Sequence, residues 1–344
     1  MKAKKLLEYK LKGERNLSSR RPLIIDERLY IIFLFDRNGA SAGKIVCLDK
    51  NNFEVLWDYD HPFTIANLLK SPGDTVLASC MDGKLLELNP HNGDLMNSFE
   101  LQMDRNGQSS NIVDNKLVFG GVQRTRISTC FDLGSSCIKW VFDNNGHTYT
   151  PLIANGKVYQ CAERYVRCLD LNSGSLIWEA FEETTYMFNP TVIKNMLVVG
   201  GHGLVNFYND QNGKLLHQIE TGVRESIRAI IHEENTIFFG DSAGYFYAYK
   251  ISQHANASGE MEANAEILWK YTSNGGIEST PIIKGNHVLF INDDNKLISL
   301  DKASGELKWE FNTKGKAGIS GIITADDMIY TAVEKGYVYK LIEE

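Results

Sequence analysis

The sequence predicts an all-β protein: an eight-bladed β-propeller of four-stranded antiparallel blades, closed by pairing the N-terminal strand with the last blade. Three observations predict it: a unit that recurs about every 40 residues, four short strand-like runs in each unit, and chain ends that each hold part of one blade.

The recurring unit aligns without gaps. GKIVCLDKNNFEVLW (Gly43 to Trp57), GKLLELNPHNGDLMN (Gly83 to Asn97), RISTCFDLGSSCIKW (Arg126 to Trp140), RYVRCLDLNSGSLIW (Arg164 to Trp178), GLVNFYNDQNGKLLH (Gly203 to His217) and KLISLDKASGELKW (Lys296 to Trp309) are copies of it. Leu48, Leu88, Phe131, Leu169, Tyr208, Tyr249, Leu300 and Leu341 hold one position in eight copies. One interval is long because residues 253–264 form a polar insertion in the sixth blade, which the sequence leaves open as an ordered arm or a loose loop.

Residues 150–181 show the four strands: TPLIA, KVYQCA, YVRCLD and LIWEAF, joined by NG, ER and NSG. Such turn residues supply the polar or positive-φ positions that hairpins require. One four-stranded sheet cannot bury both faces, whereas a ring of them can. Residues 317–344 supply three strands and residues 4–12 the missing fourth, with Leu7, Tyr9 and Leu11 standing where Leu307, Trp309 and Phe311 stand. The chain, residues 1–344, is therefore read as a single propeller domain.

All five tryptophans, Trp57, Trp140, Trp178, Trp269 and Trp309, occupy one position in the outer strand, with Tyr9, Asn97 and His217 in the other copies. Asp49, Asp132, Asp170 and Asp301 lie eight residues before a Trp, where a carboxylate can accept hydrogen bonds from turn amides. Gly93, Gly174, Gly213 and Gly305 can take a positive φ in the same turns. Each indole is expected to bury apolar surface between blades, which gives these residues a structural role.

The pattern Leu-Asp-x-x-x-Gly-x-x-x-Trp, preceded by a small or aliphatic residue, resembles the tryptophan-docking repeat of quinoprotein-type propellers, the pyrroloquinoline-quinone-like repeat family. The resemblance covers nearly the whole chain, and no Gly-His…Trp-Asp signature of the WD repeat recurs. That family includes quinone-dependent dehydrogenases and also non-enzymatic members, such as the eight-bladed lipoprotein of the outer-membrane β-barrel assembly machine, to which this chain is closest in kind. The dehydrogenases resemble one another in an adjacent cysteine pair and in a calcium held by Glu, Asn and Asp. No two cysteines are adjacent here, and HExxH, GxSxG and P-loop motifs are absent. GGHGLV at Gly200 to Val205 reads as a hairpin turn, since Asn206 stands where a dinucleotide loop needs its third Gly. The eight histidines show no pair at metal-ligand spacing, so the expectation is no enzyme, no cofactor and no metal.

Composition bounds the rest. The six cysteines lie in apolar runs without CxxC and are expected to be free thiols. The charged N-terminus has no apolar run that could serve a secretory leader, and no stretch is long enough to span a bilayer as a helix. This implies a cytoplasmic protein, or a periplasmic one if a leader has been removed. Residues 1–21 carry net +6 of a total of −7, and the acidic body argues against nucleic acid as a partner.

The loops entering each inner strand and those joining second to third strands share one face of the ring. Blade by blade they hold Arg105, Arg124 and Arg126, then His147, Tyr149, Arg164 and Arg167, then Tyr186 and His202, then Arg224 and Arg228, a basic and aromatic arc. Asp241, Glu278, Asp293 and Asp294 follow with the opposite sign. Arg and Tyr anchor protein interfaces. The leading expectation is a monomeric, non-enzymatic binding propeller, a scaffold or toxin-neutralising immunity partner, that presents this arc to an acidic protein or peptide. The alternatives are a small-molecule or quinone site at the channel mouth, and an envelope assembly factor if a leader has been lost.

Overall fold

The computed structural model describes residues 2–12, 16–37, 40–103, 111–121, 126–183 and 187–344, without the side chains of residues 16–18, 37, 40 and 317–320. Eight antiparallel sheets form the ring. The closing sheet runs Ala3–Lys10, Tyr337–Glu343, Met328–Val333, Ala317–Ala325, with Leu7 opposite Lys340 and Tyr9 opposite Val338. The N-terminal strand thus closes the ring on the last blade, as the matched ends of the sequence predict.

Burial explains the strand types. Second strands such as Val76–Cys80, Met196–Gly200 and His287–Ile291 are buried at every residue, because a neighbouring blade covers each face. Outer strands such as Leu176–Phe181 bury the Trp and leave Leu176, Ile177 and Phe181 exposed. The core therefore lies in the seams. One cluster joins Tyr159, Cys161, Cys168 and Trp178 to Met187, Leu197 and Val199 of the next blade, and another joins Phe238 and Trp269 to Ile277, Val288 and Phe290.

Each indole crosses its seam. The Nε1–H groups of Trp57, Trp140, Trp178 and Trp269 donate to the carbonyls of Pro90, Leu171, Asp210 and Lys302 in the following blade, at 3.0, 2.9, 3.0 and 3.1 Å. A Cβ on Gly93, Gly174, Gly213 or Gly305 would come within 2.5–2.6 Å of the indole from the preceding blade, and all four glycines have φ between +70° and +77°. The turns that receive Tyr9 and Asn97 carry Phe53 and Ser136 at positive φ instead of Gly. The turn aspartates act locally: Asp170 Oδ1 accepts from the N–H groups of Asn172 and Ser173, and Asp301 Oδ1 from those of Ala303 and Ser304.

Two blades depart from four simple strands. The inner strand of the first is split into Asn16–Ser19 and Leu23–Ile25, both paired with Arg28–Arg37, and Pro22 lies in the gap with no N–H to donate. The third blade shows three strands among the described residues, its inner edge reduced to the bridge between Val113 and Lys116. The insertion is an ordered arm: Tyr245–Ala255 and Met261–Thr272 stay paired out to Ala255 and Met261, and Asn256 Oδ1 caps the turn by accepting from the N–H groups of Ser258 and Glu260. Glu260 reaches back to Lys214 of the preceding blade at 2.6 Å. Among the described residues no helix is long and apolar enough to cross a membrane.

Candidate functional site

On the loop face a row of rings crosses two blades. His147 and Tyr149 lie on the segment entering Leu152–Ala154, Phe188 on the segment entering Pro190–Ile193, and His202 in the hairpin between Met196–Gly200 and Leu204–Asn209. Successive centroids are 5.2 Å (His147–Tyr149), 5.0 Å (Tyr149–Phe188) and 5.1 Å (Phe188–His202) apart, each pair edge to face. From the next blade Arg228 lays its guanidinium carbon 5.3 Å from the centre of Phe188. This geometry sets positive ring edges on negative ring faces and a cation over one of them. Burial pushes the pKa of His147 down; burial, with Arg228 beside it, does the same for His202. Both imidazoles are neutral at pH 7, and the charge of the face comes from arginine.

The arc predicted from sequence is brought together in part. His147, Tyr149, His202 and Arg228 meet through Phe188, and Arg224 shares a shallow groove of about 300 Å³ with His202. Arg126 and Arg164 are exposed on second-to-third connections of the adjoining blades, and Arg164 Nη1 donates to the carbonyl of Glu183 at 2.7 Å. Arg105, Arg124 and Tyr186 lie outside the described residues. Arg167 does not belong to the arc: it sits buried in Tyr165–Asp170, paired with Glu179 at 2.5 Å and donating to the carbonyl of Asn144. Asp241 is also not a surface charge, since it is fully buried and accepts from the N–H groups of Ala243 and Tyr245 and the Tyr247 hydroxyl. Glu278 of the acidic sector comes within 3.6 Å of Arg228, so the two sectors touch.

The sequence reading missed Phe188. Tyr149-Thr150-Pro151 and Phe188-Asn189-Pro190 are equivalent segments of successive blades, so aligning the X-Pro pairs that open the inner strands would have found it.

Down the axis runs a channel cavity of about 690 Å³, whose polar lining includes Arg20, Arg21, Asn67, Asn189 and Thr280. Among the described residues no carboxylate lines it, and all six cysteines are free, so it does not offer the disulfide and calcium ligands that the quinone-enzyme resemblance implies. A third grouping lies in the seam between the first two blades. His61, Cys80 and Asp82 hold one ligand-type atom each within 4.8 Å of one another.

The family model described as outer membrane protein assembly factor BamB matches residues 3–180 and 259–341. No curated protein sequence matches the chain. Among solved structures, the computationally designed Ika8 protein superposes with a TM-score of 0.78 at 14% identity, covering 97% of this chain and 98% of that one. BamB from Moraxella catarrhalis gives 0.71 at 14% identity, covering 99% and 98%. Sqt1 from Chaetomium thermophilum, solved bound to the N-terminus of ribosomal protein L10, gives 0.78 at 13% identity, covering 99% of each chain. At such identities these likenesses speak to the fold.

Proposed function

The chain belongs to the family of outer membrane protein assembly factor BamB, and on that premise we propose that it is a non-enzymatic scaffold that holds another protein or peptide, acidic at the contact, on the loop face of its fourth to sixth blades. The observation that carries this reading is the row His147, Tyr149, Phe188, His202 with Arg228 over Phe188. Rings locked edge to face have little side-chain freedom left to lose on binding, and the surrounding Arg126, Arg164 and Arg224 supply steering charge. Sqt1, a propeller of similar shape, was solved with a peptide segment bound.

The family's description favours one variant of the role, envelope assembly, over a cytosolic scaffold or immunity partner. The two differ in compartment, so cell fractionation separates them.

The test is affinity capture from native cell extract, with the Arg164→Glu/Arg224→Glu double variant beside the wild type. A protein retained by the wild type and lost by the variant, at an unchanged melting temperature, is the expected result. Capture that survives both reversals removes this face from the account.

A further inference from the structure

Three seams between blades share a polar contact that the seam between the first and second blades lacks. The fourth residue after Trp140, Trp178 and Trp269 makes a side-chain hydrogen bond to the next blade: Asn144 Oδ1 accepts from Gln160, Glu182 Oε2 from Asn206 at 3.1 Å, and Ser273 Oγ from Asn292 at 2.7 Å. After Trp57 that residue is His61. Val76 pairs with Leu88 as Val288 pairs with Leu300, so Cys80 stands where Asn292 stands and His61 where Ser273 stands. Yet His61 Nε2 and Asp82 Oδ1, both shielded from solvent, make no hydrogen bond. His61 Nε2 lies 3.3 Å from Asp82 Oδ2, and their side chains are only 8% and 10% exposed.

Buried polar atoms are almost always satisfied, and an exception calls for an unseen partner. The geometry names its kind. A tetrahedral zinc ion with its usual bond lengths separates a nitrogen ligand from an oxygen ligand by about 3.3 Å and a sulfur from either by about 3.5 Å. The His61 nitrogen and the Asp82 oxygen have that separation, and the Cys80 sulfur lies within 4.8 Å of both.

We propose that His61, Cys80 and Asp82 bind a zinc ion in the seam between the first and second blades, with a water in the fourth position. Thiolate, imidazole and carboxylate together select zinc over calcium or magnesium, which take oxygen ligands alone. The site is held by rigid elements: His61 ends the strand Val55–His61, Cys80 ends Val76–Cys80, and Asp82 is in the turn that follows. Burial pushes the Cys80 thiol well above its ordinary pKa and the Asp82 carboxylate adds to this. A bound dication reverses both effects, so uptake releases the thiol proton to solvent and raises the stability of the seam.

The experiment titrates the chelator-stripped full chain with cobalt(II), then with zinc. We expect one cobalt per chain, with a thiolate-to-cobalt charge-transfer band and tetrahedral ligand-field bands that zinc bleaches. The charge-transfer band should vanish in Cys80→Val, and apparent zinc affinity should fall at least 100-fold in His61→Gln and in Asp82→Asn. Zinc should raise the melting temperature of the wild type and of none of the three variants. Absence of the charge-transfer band at stoichiometric cobalt overturns the proposal, as does its persistence in Cys80→Val. His61→Gln is the control for folding, because Gln can make the seam hydrogen bond that other blades make.

Discussion

Trp309 gives its indole N–H to the carboxylate of Glu343, at 2.9 Å, where the other four tryptophans give theirs to a backbone carbonyl. In the eighth blade a side chain of the strand Tyr337–Glu343 takes the place of the receiving turn. Glu343 also accepts from Lys284 at 2.8 Å and from His287 Nδ1 at 2.7 Å, so one carboxylate ties the seventh blade to the eighth.

Glu343→Ala should lower the unfolding free energy by about 2–3 kcal/mol, since it strands an indole N–H and a lysine in a largely buried seam. Urea unfolding followed by tryptophan fluorescence measures it. A loss no larger than that of an exposed substitution would show that the seam does not depend on this carboxylate.

The same group sets a pH dependence. Burial alone would raise the Glu343 pKa, but its hydrogen bonds with Lys284, His287 and Trp309 outweigh burial and hold it below its ordinary 4.5. Asp132, Asp170 and Asp301 are likewise held below 3.8, chiefly by turn backbone N–H groups. A depressed carboxyl binds its proton more readily in the unfolded chain, so its stabilisation is full above the unfolded pKa and is lost as pH falls through the folded one. The urea midpoint should hold steady above about pH 5 and fall between about pH 4.5 and 3. Glu343→Gln should flatten that fall.

Gly174→Ala should cost about 3 kcal/mol, because φ is +70° there and the new Cβ would come within 2.5 Å of the Trp140 ring. Gly156→Ala, at a similar φ of +72° but with nothing within 4 Å, isolates the backbone share and should cost about 1 kcal/mol. Equal losses at the two positions would remove the indole contact as a cause.

On the binding face, Arg164→Glu and Arg224→Glu should each change stability by less than about 0.5 kcal/mol, as exposed substitutions do. Arg228→Glu is different. Its side chain covers Phe188 and faces Glu278, so reversal should lower the melting temperature as well as binding. With His147 and His202 pushed down from the ordinary histidine value, partner affinity should stay level from pH 8 to 7 and any break should fall below pH 6.5. A break at or above pH 6.5 in calorimetric titrations would contradict their neutrality.

Ring closure was legible in the sequence because Leu7 and Tyr9 keep the spacing of an outer strand although the rest of their blade lies at the other end of the chain. The seam was legible only by halves. Asp, Gly and Trp stand together in the copies of Trp178 and Trp309, but the Gly touches the indole of the copy before, as Gly174 touches Trp140. A strict period looks the same whichever neighbour a residue serves, so contact across copies leaves no trace in spacing. His61 and Cys80 escaped for the same reason, belonging to different copies. The arc lost Arg167 because a position near a hairpin was read as loop, whereas strand alternation turns it into the seam toward Asn144.

Closure by the first strand has a mechanical consequence. Lys2 and Glu344 exchange backbone hydrogen bonds of 2.8 and 2.9 Å, and Ala3 lies opposite Glu343, so both chain ends leave the ring at one corner. Tension that draws those ends apart loads the ladder one pair at a time, as a zipper is opened, rather than shearing all its bonds at once. A load carried across the whole chain would peel the eighth blade first, while the seams stapled by Trp57, Trp140, Trp178 and Trp269 bear none of it until the ring is already open.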